Sequence, residues 1–203
     1  KNNIQTCWVL KCDIRKFFAS VGHNILLEIL ASRIQDENII WLLRQVVGSF
    51  NTDSSIGIGL PLGNLTSQLF ANIYLNEFDQ FAKHKIKAKH YIRYADDFVV
   101  FSESRIWLEK ILPEIKGFLR DRLKLEIHPD KVFIKTVASG MDFLGWVHFP
   151  NHRVLRTSTK RRMFRNLQDN SKPESIASYL GMLRWGNTYR LRQKIHELIN
   201  INN

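Results

Sequence analysis

Cysteine is almost absent from this 203-residue chain. The two present, Cys7 and Cys12, are too few for a disulfide framework or a zinc site and read as buried thiols of a reducing compartment. Long apolar runs are missing too. None reaches the ~20 residues that a spanning helix needs, and nothing near the start resembles a signal peptide, so the expectation is a cytoplasmic protein with no membrane partner. There is no repeat and no low-complexity tract. With 44% hydrophobic and 24% charged residues, the composition supplies a packed core and excludes a disordered polymer. Acid is the remaining scarcity: 19 Asp+Glu stand against 30 Lys+Arg, a net charge of +11. That imbalance favours a polyanionic partner, with nucleic acid ahead of an anionic surface.

The excess is not spread evenly. Residues 1–151 hold 19 basic and 16 acidic side chains, whereas residues 152–203 hold 11 basic and 3 acidic. In that last quarter Arg153, Arg156, Lys160, Arg161, Arg162, Arg165, Lys172, Arg184, Arg190, Arg192 and Lys194 alternate with Phe164, Leu167, Tyr179, Leu180, Leu183, Trp185, Leu191 and Ile195. A solvated basic tail would not need the apolar residues. Amphipathic helices with a core face and a cationic face account for both.

Hydropathy patterning outlines the rest. Residues 6–14 form an apolar run rich in strand formers. Residues 24–47 are helical in spacing, with a polar break, and residues 48–64 are a Gly/Ser/Asn-rich loop or short hairpin. Asn64 is placed to cap a helix running to about Lys85. Residues 90–102 read as two short strands around a tight Ala-Asp-Asp turn. A further helix follows through Ile111, Ile115, Phe118 and Leu119, with Pro113 near its start or kinking it. Residues 123–128 and 131–137 look like short strands, and residues 142–149 like a strand with a glycine bend. This order predicts an α+β layer followed by a helical appendage from about residue 155.

The chemistry concentrates in carboxylates. Asp96 and Asp97 lie side by side between two apolar strands, where a purely structural turn would avoid two adjacent anions. A third carboxylate, Asp13, ends the first apolar run. If those strands are neighbours, three carboxylates converge, an arrangement that calls for cations and suits two Mg²⁺ ions (or Mn²⁺) about 4 Å apart for phosphoryl transfer. Cys7, Cys12, His128, His148 and His152 show no ligand spacing of their own.

Four segments, taken in order, resemble the reverse transcriptases. Tyr94-Ala95-Asp96-Asp97 is similar to their YxDD box, and Asp13 to Phe18 to their DxxxFF element. Residues 59–68 (GLPLGNLTSQ) resemble the glycine turn and helix that follow, and Phe143-Leu144-Gly145-Trp146 the primer-gripping hairpin. The resemblance covers about residues 6–150. It implies a right-hand polymerase: an antiparallel palm backed by helices over residues 1–150, then an all-α basic thumb over 151–203. The fingers that precede Asp13 in the family are not matched and the chain opens at Lys1, so a palm–thumb fragment of a longer enzyme is expected, inactive without its fingers.

Roles follow from the resemblance residue by residue. Asp13 and Asp96 are implied as principal metal ligands, with Asp97 and the Ile14 carbonyl assisting. Phe18 takes the position of the sugar gate that excludes a 2′-hydroxyl and so prefers deoxynucleoside triphosphates, while Phe17 fits a core aromatic. Lys131 corresponds to a lysine near the triphosphate, either a proton donor or a solvated strand-end residue. Leu62, Gly63 and Gln68 are implied at the nucleotide. The primer and template side is implied for Asn64, Tyr94, Phe143, Leu144, Gly145 and Trp146, together with Arg161, Arg162, Arg165, Arg184 and Arg190. The partners implied are an RNA template, a DNA or RNA primer and a retroelement accessory protein.

Leu62 stands where group II intron and retroviral-type enzymes carry Gln, and Gln68 follows Ser67. This LGxxxSQ variant resembles the bacterial diversity-generating retroelement branch, which copies a template RNA at low fidelity. Bacterial defence-type and group II intron-like enzymes remain alternatives. So do an RNA-dependent RNA polymerase, a palm-type nucleotidyl cyclase and an inert RNA-binding fragment.

Overall fold

The computed structural model describes residues 6–50, 56–169 and 172–201, so residues 51–55 of the expected glycine-rich loop lie outside it. The chain packs as two units, Lys1–Ile134 and Lys135–Asn203.

A sheet of strand order β2-β3-β1-β4 is formed by β1 (Trp8–Asp13), β2 (His90–Tyr94), β3 (Asp97–Ser102) and β4 (Phe133–Thr136), the first three of them wholly in the first unit. β3 runs antiparallel to both β1 and β2. Alternation sorts the side chains by face. Leu10 and Cys12 of β1 and their partners Val100 and Phe98 of β3 join the helix-backed core. Lys11, Asp13, Asp97 and Val99 therefore point to the other face.

Helices α1 (Phe17–Ser20), α2 (His23–Ala31), α3 (Glu37–Gly48), α4 (Leu65–Gln80) and α5 (Arg105–Leu123) belong to this unit. Asn64 caps α4 as its spacing predicts, its side-chain oxygen accepting from the Ser67 N–H at 2.9 Å. Phe70, Ala71, Tyr74, Leu75 and Phe78 then bury one stripe of α4. The run to Lys85 is completed by a π-helical turn, Phe81–Lys85. On α5 the stripe is Leu108, Ile111, Ile115, Leu119 and Leu123, and Pro113 lies inside the helix on its exposed side. Tyr74 locks helix to helix by donating to the Leu123 carbonyl at 2.7 Å. Phe78 is the aromatic hub, edge-on to Phe98 at 4.8 Å and to Tyr91 at 5.8 Å.

Three expectations need correction. Residues 123–128 are not a strand: α5 continues to Leu123, Lys124 turns left-handed (φ 52°), and only Ile127 makes an isolated bridge, to Ile14. Residues 142–149 are not one bent strand but the hairpin β5 (Met141–Phe143) and β6 (Trp146–His148), reversed by Leu144 (φ 52°) and Gly145 (φ 81°). Cys7 is exposed, whereas Cys12 is buried, which pushes its thiol up to about 12.

The second unit adds β7 (Arg153–Leu155), antiparallel to β6, and helices α6 (Thr157–Asp169), α7 (Pro173–Leu183) and α8 (Tyr189–Ile201). Trp146 and Leu155 from the sheet form one core with Met163, Leu167, Leu183 and Ile195 from the helices. The hairpin therefore packs with the helices, and the division falls within β4 at 134/135, not at the expected 150/151. Trp185, expected on a core face, is exposed. No helix among the described residues is long and apolar enough to cross a membrane.

Removing the hub should be costly. Phe78→Ala is expected to lower the stability of the first unit by about 3–5 kcal/mol, read as a shift of the denaturation midpoint in urea.

Candidate active site

The register of β1 on β3 makes Asp13 and Asp97 direct partners. Between β2 and β3 only Ala95 and Asp96 intervene, since Tyr94 pairs with Asp97. The Asp96 carbonyl accepts from the Ile14 N–H at 3.1 Å, which brings the turn against the end of β1. Three carboxylates from two distant segments thus meet at one end of the sheet.

Two lysines answer that charge. Lys131, on the short 3-10 turn Pro129–Lys131, donates to both carboxylate oxygens of Asp13 at 3.0 Å. The turn is held in place because the His128 N–H bonds the Asp13 carbonyl at 2.8 Å. Lys11 lies 3.3 Å from Asp97 on the same face. Among the described residues Asp96 has no such clamp. Its carboxyl is pushed above the usual carboxylate range by burial and by the anions of Asp13 and Asp97, against a backbone hydrogen bond and Lys131.

The turn itself is braced from below. Ala95 is left-handed (φ 51°), a conformation that costs a residue with a Cβ about 1 kcal/mol. Its carbonyl accepts from Arg93 at 3.1 Å, and the same guanidinium grips Asp79 of α4 through two bonds of 2.8 and 2.6 Å. Tyr91 donates to that carboxylate at 2.7 Å. Sequence reasoning missed Arg93, Asp79 and Lys11. The available signal was an arginine on the inward face of a strand, since Tyr91 and Arg93 alternate with exposed His90, Ile92 and Tyr94.

Beside the turn lies an open cleft of about 440 Å³ lined by Phe18, Gln68, Ala71, Asn72, Arg93 and Tyr94. Phe17 is buried and Phe18 only half-buried, their rings edge-on at 5.3 Å. Gln68 and Tyr94 are exposed, so both reach the cleft from its rim. Leu62 is 78% exposed, and Gly63 (φ 91°) has open space around it. Its glycine is required by the backbone and not by crowding. Asn64 spends its side-chain oxygen on the helix cap and on the Thr66 hydroxyl. In the second unit, Phe143, Leu144, Gly145 and Trp146 form the hairpin turn, and Trp146 is core. Arg161, Arg162, Arg165, Arg184 and Arg190 are all exposed.

With the site described, comparison with known proteins decides its family. Residues 1–148 match the family described as reverse transcriptase (RNA-dependent DNA polymerase). The chain belongs to the reverse transcriptase family. Protein YkfC of Escherichia coli is 28% identical over 216 residues, covering 88% of this chain and 55% of that protein. The group II intron-encoded protein LtrA of Lactococcus lactis is 21% identical, covering 76% of this chain and 36% of that protein. This reverse transcriptase chain therefore spans about half, or less, of the relatives it matches. Telomerase of Candida albicans, solved with a fragment of telomeric RNA, shares the fold at TM-score 0.60 and 12% identity, over 96% of this chain and 40% of that one. The α+β sheet with its helices and the helical unit that follows thus share the palm-and-thumb fold of this family.

The donor set fits the divalent ions that reverse transcriptases use. It is all hard oxygen, as Mg²⁺ prefers, and a cation would relieve the repulsion already felt by Asp96. The cage is not preassembled: among the described residues no three His, Cys, Asp or Glu are grouped to hold an ion. Instead, Lys131 pairs with Asp13 and Lys11 with Asp97.

This crowding sets a pH dependence. An acid whose folded pKa is raised loses stability as pH climbs from its unfolded value through the folded one. Asp96→Asn is therefore expected to melt above the wild type at pH 7, with the gain fading as pH falls below the ordinary carboxylate range. Thermal unfolding across that range checks it.

Proposed function

We propose that this chain is the nucleotidyl-transferring part of an RNA-directed DNA polymerase that extends a DNA or RNA primer on an RNA template. The observation that carries this reading is the pairing of Asp13 with Asp97, with Asp96 in the intervening turn, in a chain whose residues 1–148 match the reverse transcriptase family. Asp13, Asp96 and Asp97 would hold two Mg²⁺ ions, with the Ile14 carbonyl as a further ligand. When bound, the ions would acidify the attacking hydroxyl, whose proton passes to solvent, and would stabilise the charge on the departing pyrophosphate.

The remaining work falls to the chain. Lys131, released from Asp13, turns to the triphosphate and gives a proton to the leaving group. Phe18 presents its ring to the sugar and leaves no space for a 2′-hydroxyl. Gln68 and Tyr94, on the cleft rim, align the incoming base and its template partner. The hairpin at Phe143–Trp146 steadies the primer, and the exposed arginines of the thumb follow phosphates. Primer extension on an RNA template with Mg²⁺ is expected, and changing Asp96 and Asp97 together to Ala is expected to abolish it. A double variant that still extends at the wild-type rate would sink the reading.

Two branches compete for the biological role. Leu62 before Gly63, and Gln68 after Ser67, support low-fidelity copying of a retroelement RNA of the diversity-generating kind. An exposed leucine replaces an amide there, and its contact with a base pair is less directional than a hydrogen bond. Similarity to LtrA of Lactococcus lactis and to a putative intron protein of Saccharomyces cerevisiae, 25% identical over 207 residues, favours an intron-like role. The error spectrum separates them. Leu62→Gln is expected to lower misincorporation opposite template adenine if the first branch is right, and to leave it unchanged under the second.

A further inference from the structure

The loop joining α7 to α8 carries an indole that the fold holds in water. Trp185 is 71% exposed, yet the loop around it is tightly tied. The Asn187 N–H donates to the Arg153 carbonyl at 2.8 Å. The Arg153 guanidinium donates in turn to the Trp185 carbonyl, and the buried Thr188 hydroxyl donates to the Leu183 carbonyl. Gly186 packs so closely on Trp146 that a Cβ would lie 2.2 Å from its ring. Trp185 is therefore exposed by construction and not by looseness. A large ring held outward by these bonds offers a flat face for stacking.

An open groove of about 550 Å³ runs beside it, wholly within the second unit. Its lining includes Arg153 and Arg184, Phe149 and His152 with rings stacked at 4.7 Å and 10°, and Asn151 and Asn187, whose side chains are amides. No carboxylate lines it among the described residues. Arg153 also lies over the Trp146 ring at 5.1 Å, which holds its charge at the wall. Aromatic platform, paired guanidiniums and no anion together select a planar base on a phosphate backbone. Only an unpaired strand offers the face of its base for stacking. The two amides can meet a 2′-hydroxyl as donor or acceptor, which favours RNA over DNA.

We propose that this groove holds an unpaired RNA nucleotide, its base on Trp185 and its phosphates at Arg184 and Arg153. The inference rests on the reading that this chain works on RNA, and adds to it a single-strand site in the thumb unit.

Fluorescence anisotropy with a short labelled oligouridylate, the matching DNA, a blunt RNA duplex and an acidic peptide tests it at near-physiological salt. Trp185→Ala is expected to weaken oligouridylate binding roughly fivefold or more. Trp185→Phe should retain most of the affinity, and duplex binding should not change in either variant. The wild type should bind RNA more tightly than DNA. Unchanged oligouridylate binding in Trp185→Ala, or an equal loss on the duplex, overturns the groove while leaving the polymerase reading intact. Tighter binding of DNA or of the peptide overturns the RNA assignment. Failure of the wild type to bind any nucleic acid overturns both the groove and the reading beneath it.

Discussion

Everything in the first unit depends on the register between β1 and β3. Side chains alternate with period two, so the same pairing that sends Leu10, Cys12, Phe98 and Val100 into the helix-backed core sends Asp13 and Asp97 to the opposite face. A slip of one residue would exchange Leu10 and Cys12 for Lys11 and Asp13 and drive charged side chains into the helix-backed core, at a cost no small domain can absorb. The hydrophobic effect thus enforces a polar arrangement it does not touch. Apolar burial on one side is what makes three mutually repelling acids tolerable on the other.

That tolerance is visibly incomplete. Asp13 and Asp97 are each met by a lysine, while Asp96 holds its proton more tightly than an ordinary carboxylate. The brace beneath the turn, from Arg93 to Asp79 and Tyr91, keeps the strained Ala95 in place. Charge and backbone strain are concentrated within a few residues, as happens where geometry serves chemistry more than stability.

Much of this was legible in the residues themselves. The apolar run ending in Asp13 and the paired acids between apolar strands pointed to the candidate site, because local alternation and adjacency are written in the chain. The Asn64 cap was legible for the same reason. The supporting shell was not. Lys11 reaches Asp97 across a strand pair, Asp79 reaches Arg93 from a helix, and neither link has a local pattern. The hairpin at Leu144-Gly145 was blurred because a leucine occupies a left-handed position that usually advertises itself as Asn or Gly. Trp185 was misplaced because helical spacing cannot distinguish a core indole from one a loop holds outward.

The two-residue connection between β2 and β3 has a further implication, for how this protein can change over time. Tyr94 pairs with Asp97 across Ala95 and Asp96 alone, so the segment has no slack. One residue more or fewer would change the turn type and shift Asp96 relative to Asp13 and Asp97. Variation at this point is therefore confined to substitution, and insertions and deletions must accumulate elsewhere. The segment is held in length, and in identity wherever Asp96 is needed.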